Sequence, residues 1–551
     1  MPFRQYYRSG GDLMGQKTIY RGGTIFTMDP SLPRAEAVFV EDGIIKAVGA
    51  KSAVNNLVDV NTRIVDLHGG FLAPGLIETH NHLSFYALFL DYCNLGSGAC
   101  ESIDEAIDLL RDHGAQENKS DYIIGYGFDD TYTPAMRHLN KTDLDKVSKK
   151  YPVIVFHMSG HVGYLNGLGL QVFGITKDTG DPKGGWIERD EGGHPTGKLD
   201  EMAWFQLVGE KLSPPADPAT IEALIKRAVK VFNTHGVVAI HDAAIGVAGT
   251  GENVFSAYQR LERNEELNIR AFLSAMVESP WKCEPEQIDG IGMGKRRVVV
   301  GGVKLFVDGS IQANTAAMLS PYQNKPDTKG ELVMNPEDIV DEIQKYHKRG
   351  DHISVHANGD AAIEAVISAF ENAQKVHYRK DTRHMVIHCQ TAHKSHIERM
   401  KAVGVIPSFF GMHVYYYGDR HRNIFLGEER AARLNPFGDA DRLGLDFTLH
   451  TDTPVMPPWT MQSIGTAVTR KTNSGFVLGQ DQRISPEKAL SAYTSMAAKC
   501  SYSENDRGSI SIGKIADFTL LSKDITKCDP DTIQNTKVLK TIIEDKTVYE
   551  A

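Results

Sequence analysis

From Pro218 onward the chain repeats one unit, a helix followed by a short apolar strand, and this rhythm admits very few folds. Residues 218–234 space Ile221, Leu224, Ile225, Ala228 and Phe232 along one helical face, and Gly236 stops the helix. Val237-Val238-Ala239-Ile240 then reads as a strand running into His241-Asp242. Asn335-Pro336 starts the next helix as N-cap and first-turn proline, and Gly350 ends it before Ile353-Ser354-Val355. A helix over 361–370 precedes Met385-Val386-Ile387, another ends at Gly404 before a strand over 405–410, and Phe447-Thr448-Leu449 is the last strand. Strands alternating with helices build a parallel sheet. So many units, with polar residues at the strand ends, predict a closed (β/α)8 barrel of the TIM type, whose active sites lie at the C-terminal ends of the strands. An open doubly wound sheet is the alternative, but Gly290-Ile291-Gly292-Met293-Gly294 lacks the dinucleotide-binding spacing.

The first barrel strand is read further upstream, in Phe71-Leu72-Ala73-Pro74-Gly75-Leu76-Ile77-Glu78-Thr79-His80-Asn81-His82-Leu83. Strand alternation puts His80 and His82 on one face, where two imidazoles can share a metal ion. A lone His-x-His says little in a chain with 21 histidines. It gains weight because later strand-like runs carry Lys304, His356, His388 and Asp452 at or near their ends. The expected organisation is a β-rich segment over 17–70, the first barrel strand and its His motif over 71–92, an inserted lid or side domain over 93–217, the barrel over 218–498, and a second β-rich segment over 499–551. The two β-rich ends are expected to form one small sandwich. The insert reads as irregular, with a helix near 104–113 and several glycine-rich turns.

Composition narrows the function classes. A formal charge of −10 argues against a nucleic-acid binder, which needs a basic surface. The six cysteines are scattered without C-x-x-C spacing, as expected of free thiols in a reducing compartment. No stretch is apolar for long enough to cross a membrane, and residues 1–15 read as a loose polar leader without a signal-peptide core. A cytoplasmic protein, assembled as a homodimer and acting on a small molecule, is the expectation.

Val303-Lys304-Leu305-Phe306-Val307-Asp308 is the most telling strand, because alternation places Lys304, Phe306 and Asp308 on one face. A lysine there has two readings. It is a core lysine paired with Asp308, or its buried site lowers its pKa so that the neutral amine adds carbon dioxide. The carbamate so formed has two oxygens and can bridge two metal ions. His356 and His388 each end a strand, and Asp452 follows the last one. Imidazole with carboxylate and no thiolate suits zinc, with manganese, iron or cobalt also accommodated.

In this order, His80-x-His82, Lys304, His356, His388 and Asp452 resemble the amidohydrolase superfamily, and the likeness covers nearly the whole chain. It extends from Ala73-Pro74-Gly75 to Gly508-Ser509-Ile510-Ser511-Ile512-Gly513-Lys514-Ile515-Ala516-Asp517. Ser159-Gly160-His161, Gly197 after Pro195-Thr196, and the Lys-x-Phe-x-Asp-Gly-Ser strand resemble its YtcJ-like, amidohydrolase-3 branch, which includes N-substituted formamide deformylases. Thr451-Asp452-Thr453-Pro454 stands where relatives often have Gly-Ser-Asp-x-Pro, but keeps the aspartate.

The resemblance implies a metal-dependent hydrolase of a C–N bond, such as the amide of a small N-acyl or N-formyl compound. His80, His82 and Asp452 would hold one zinc and His356 and His388 a second, with carboxylated Lys304 between. Asp452 is the first candidate to handle the proton, then His161 and His241. Asp308, Trp186, Met412, Tyr415 and Trp459 are the candidate substrate contacts. A mononuclear deaminase-like hydrolase, or a metal-free binding or regulatory protein on the same fold, are the rival readings.

Overall fold

The computed structural model describes residues 16–96, 99–115, 121–131, 133, 135–160, 162–182, 185–212, 217–246, 251–277, 293–294 and 296–551. The expected leader, Cys283, the glycines at 290 and 292, and His161 lie outside the described residues.

Eight parallel strands form the barrel. They are β1 (Leu76–Asn81), β2 (Val237–Ile245), β3 (Arg270–Met276), β4 (Val298–Phe306), β5 (His352–Ala357), β6 (Met385–His388), β7 (Ile406–Phe410) and β8 (Thr448–His450). Each pairs in parallel with its successor. The ends of the ring meet where His82 N–H donates to Thr453 O at 2.8 Å and Asp452 N–H to His80 O at 3.3 Å. Helices cover the outside, so runs such as Val298-Val299-Val300 are buried on both faces.

The covering helices start and stop where local chemistry dictates. Asp217 caps Pro218–Thr234 by accepting Thr220 N–H at 2.9 Å. Pro336–Arg349 ends at Gly350, whose φ of 99° a side chain would resist. Ile339 and Ile343 of that helix pack with Ile353 and Val355 of β5 in the main core. Burying each such side chain stabilises the fold by roughly 1.5–3 kcal/mol.

Residues 17–74 and 518–550 contribute strands to a single eight-stranded sheet. Phe71–Pro74, immediately before β1, pairs in parallel with Lys17–Phe26 and antiparallel with Phe518–Leu521, so the two ends of the chain meet across it. The expected small sandwich is thus one hydrogen-bonded sheet with apolar packing on both faces. Tyr20, Val38 and Phe518 lie on one side, and Ile19, Phe39 and Val54 on the other. Buried Arg270, at the start of β3, joins this sheet to the barrel through Asp517 (3.0 Å) and Glu544 (2.6 Å).

The segment between β1 and β2 is more ordered than its sequence reads. It holds helix Ile103–Ala115 and a six-stranded sheet running from Cys93–Asn94 to Pro195–Glu201. Most of these strands are only four to seven residues long, too short for periodicity to stand out. A Cβ at Gly163 would lie 2.0 Å from the Trp204 ring, so glycine is what lets Trp204 seat against Phe156 (ring centroids 4.9 Å). The sheet leans on the barrel mouth through Phe89, which follows β1 and meets Tyr126 (5.0 Å) and Phe156 (5.4 Å). An Arg420–Asp129 ion pair adds a polar tie. The described cysteines are free thiols. Among the described residues no helix is long and apolar enough to cross a membrane.

Candidate metal centre

Five of the six predicted ligands converge at the C-terminal mouth of the barrel. His80 Nε2 and His82 Nε2 lie 3.2 and 3.4 Å from Asp452 Oδ1, and His388 Nε2 lies 3.9 Å from Oδ2. Lys304 Nζ is 3.3 Å from His80 Nε2. Ligand atoms of His80, His388 and Asp452 all fall within 4.8 Å of one another. Two of these side chains are presented by left-handed backbone, at His388 (φ 68°) and Asp452 (φ 57°). That conformation costs a non-glycine residue roughly 1–2 kcal/mol and is tolerated where it aims a functional group.

The donor set fits a divalent cation. Burial, reinforced by Lys304 and neighbouring imidazoles, holds His80 well below the usual histidine range; burial and then His356 do the same for His388. Neutral imidazoles keep the lone pair a metal needs. His82 Nδ1 donates to Ala243 O at 3.0 Å, which leaves Nε2 as the lone-pair nitrogen facing the site. Burial pushes Lys304 down to about 7, partly offset by Asp452. Asp452 Oδ1 is buried and, among the described residues, accepts no hydrogen bond. An orphaned buried carboxylate oxygen is costly unless a ligand satisfies it.

His356 stands beside this group. Its ring is 4.6 Å from that of His388, and both line the same small cavity. Its Nε2 is turned to the loop after β4, 3.2 Å from Gly309 O and 3.0 Å from Asn358 Nδ2. Lys304 and Phe306 share a face as alternation requires, with Nζ 4.9 Å over the ring. Asp308 does not pair with the lysine. It accepts backbone N–H groups from Ala317 (3.0 Å), Asn358 (3.0 Å) and Gly359 (2.8 Å), so it shapes the loops around His356 and does not line either cavity.

Other candidates lie away from the centre. His241 stacks on Phe272 (4.6 Å), which in turn meets His352 at the opposite end of β5 from His356, so His241 belongs to a deeper layer of the barrel. Asp242 is buried, accepting Ser84 N–H (3.0 Å) and Tyr258 O–H (2.7 Å). Trp186 is 58% exposed on the insert sheet, because it sits on the solvent side of a strand. Met412 is buried with Met158, Phe410 and Tyr417 behind the cavity wall. Tyr415 packs on Tyr416 (4.9 Å), and Trp459 stands 37% exposed at a helix start. None of these four lines either cavity.

Three residues escaped the sequence reading. His450 Nε2 is 3.0 Å from His388 Nδ1, and its Nδ1 is 2.9 Å from Ser408 Oγ, so it braces His388. Its place two residues before Asp452, on the inward face of β8, was the available signal. Glu78 accepts Thr451 N–H (3.2 Å) and Oγ1–H (3.0 Å), anchoring the segment that carries Asp452, while burial pushes its carboxyl up to about 8. His157 comes from the insert. Its Nδ1 accepts Ser159 N–H (3.1 Å) and its Nε2 donates to Asp130 (3.0 Å). No local signal joins Asp130 to His157 across the intervening chain.

Two cavities flank the centre. One of about 490 Å³ begins at His82, Phe306 and Val455 and runs beneath the insert. The other, of about 70 Å³, is lined by His356, His388 and Asp452.

The Amidohydrolase family model matches residues 63–549. The amidohydrolase-type protein YtcJ of Bacillus subtilis is 30% identical over 544 residues, covering 97% of this chain and 99% of its own. N-substituted formamide deformylase of Arthrobacter pascens is 26% identical over 545 residues, 95% of this chain and 96% of its own. The crystal structure of an uncharacterized metal-dependent hydrolase from Pyrococcus horikoshii shares the fold, with a TM-score of 0.73 at 24% identity over 94% of this chain and 99% of that one.

Proposed function

Because the chain belongs to the amidohydrolase family, we propose that it is a metal-dependent hydrolase of a C–N bond, acting on the amide of an N-acyl or N-formyl small molecule. The observation that carries this reading is the convergence of three imidazoles on the Asp452 carboxylate, whose Oδ1 is buried and accepts no hydrogen bond among the described residues, beside a lysine of lowered pKa. A bound divalent ion would polarise the amide carbonyl and make water nucleophilic near neutral pH. His80, His82, His388 and Asp452 are the residues to hold it. Lys304, pushed down to about 7 by burial and so about half in its neutral amine form near pH 7, adds carbon dioxide with release of one proton and presents two carbamate oxygens in place of an ammonium.

Asp452 also handles the proton. Its carboxylate takes the proton of the attacking water and delivers it to the departing nitrogen, since an amide anion is a very poor leaving group. Glu78 and His450 keep the two halves of this geometry in place.

A mononuclear, deaminase-like reading is favoured by one observation, the turn of His356 Nε2 toward Gly309 O. Metal analysis of protein expressed with zinc, read beside a hydrolysis screen of N-acyl and N-formyl amines, separates the cases. Two ions per chain, lost together with activity in Lys304→Ala and partly restored by short carboxylic acids, is the binuclear outcome. One ion with an unmodified Lys304 selects the mononuclear form. Full amide hydrolysis without any transition metal overturns both.

A further inference from the structure

The two cavities differ in size and in the polar groups they offer. The large one, about 490 Å³, lies within the roughly 300–1,000 Å³ range of sites that enclose a whole small molecule. It starts at the metal centre and ends against Trp204 and Leu224, and no Asp, Glu, Lys or Arg lines it among the described residues. A charged group moved there would lose its water with no partner in exchange. The small cavity, about 70 Å³, has room for about two water-sized groups. Its wall mixes apolar side chains such as Met158 and Phe410 with polar ones, and two of its acceptors are unused. Asn358 Oδ1 and Gln390 Oε1 are buried and accept no hydrogen bond among the described residues. Asn358 cannot swap its oxygen and nitrogen without loss, because Nδ2 already donates to Gly309 O at 2.8 Å. Buried acceptors of this kind are satisfied by an N–H donor.

We infer that the substrate is an asymmetric amide whose acyl group is bulky, apolar and uncharged and fills the large cavity, while its amine side is at most a few heavy atoms and offers N–H to Asn358 and Gln390. The assignment rests on the amide-hydrolase reading above and adds an orientation to it. With the nitrogen in the small cavity, the leaving group departs beside Asp452, which lines the same space and protonates it.

Two mirrored series test the orientation on the zinc-loaded full chain: straight-chain primary amides of rising acyl length, and N-alkyl formamides of matched length. In the first, kcat/KM is expected to rise about 3-fold per methylene until the cavity is full, and at eight carbons to exceed its mirror partner by roughly 10-fold or more. An acyl chain ending in a carboxylate is expected to lose that gain. Leu224→Trp, which fills the cavity from helix Pro218–Thr234, should cut the long-to-short preference roughly 10-fold; Leu88→Trp is the second variant if the first fails to fold. Formamides outrunning primary amides, a flat chain-length profile, or full activity on the carboxylated chain would overturn the inference. Calorimetry with 2-alkanones, which carry the carbonyl but no scissile bond, separates this from the hydrolase reading. Affinity rising with chain length and falling in Leu224→Trp, without hydrolysis of any amide, keeps the cavity assignment and removes the hydrolase. Amide hydrolysis with flat alkanone affinity does the reverse.

Discussion

Histidines gather at both ends of this barrel, and only one gathering is built for a metal. At the upper end, Nε2 atoms of His80, His82 and His388 point at Asp452, and cavities open beside them. At the lower end, His347, His352 and His384 pack as closely, with His347 and His384 rings 5.3 Å apart. There the ring nitrogens of His384 and His347 are already spent on partners within the fold. His384 Nδ1 accepts Ile353 N–H at 3.1 Å, so its Nε2 carries the proton and donates to His347 Nδ1 at 3.0 Å. His347 Nε2 then donates to His377 O at 2.6 Å. A buried histidine whose two nitrogens are satisfied by the fold is structural; one whose lone pair faces an unsatisfied carboxylate is a ligand. Proximity of imidazoles alone does not tell them apart.

The largest effect expected is from metal removal. Chelation should abolish activity and lower thermal stability, with both returning on zinc addition. His384→Gln, at the lower end, should leave metal stoichiometry unchanged. A variant of the lower cluster that lost metal would break the distinction. Asp452→Asn comes next: kcat should fall at least roughly 10²-fold, the low end for a general acid–base group, with KM and folding little altered. Steady-state kinetics at full metal occupancy checks it, and an unchanged kcat would transfer the proton role to another residue.

His384→Leu sharpens the structural side. It strands Ile353 N–H and His347 Nδ1 in the interior, so denaturant unfolding should show a loss of about 1–3 kcal/mol at equal kcat in the folded fraction. Acid titration probes the same side. Burial depresses His241 to about 3, so it is neutral in the folded protein. Its contribution is complete above the unfolded histidine value of about 6.5. As pH falls from there toward the folded value, the unfolded chain takes up the proton first, and stability is lost at about 1.4 kcal/mol per pH unit. His241→Phe should remove that share of the acid sensitivity and leave kcat intact, as measured by unfolding at pH 7 and pH 5. A collapse of kcat instead would return His241 to the catalytic set. Trp186→Ala should be the mildest change, within about 0.5 kcal/mol in stability and without effect on KM.

Much of this is legible in the amino-acid sequence alone. Helix 218–234 and the αL stop at Gly350 follow from capping chemistry and period, which act within a few residues. Lys304 over Phe306 follows from alternation. In the insert the helix near 104–113 was legible but the sheet was not, because its strands are short and their pairing is set by neighbours distant in sequence, as with Val162 opposite Asp200. The exposed face of Trp186 and the burial of Met412 were equally invisible, since a residue type says how it prefers to be placed and not which side of a strand meets solvent.

By itself, the sequence determined the barrel and which residues are carried to its mouth, because a strand's end is a local property and β1, β4, β5, β6 and β8 each carry ligand-type side chains at or just beyond it. Tertiary structure alone decided which nitrogen of each imidazole faces inward, that His450 braces His388, that His356 turns toward Gly309, and that a large and a small cavity meet along residues 157–159 and Val455 beside the centre. Those outcomes depend on hydrogen-bond partners and walls drawn from strands and loops far apart in the chain, and a bond between distant partners leaves no mark in the local sequence of either.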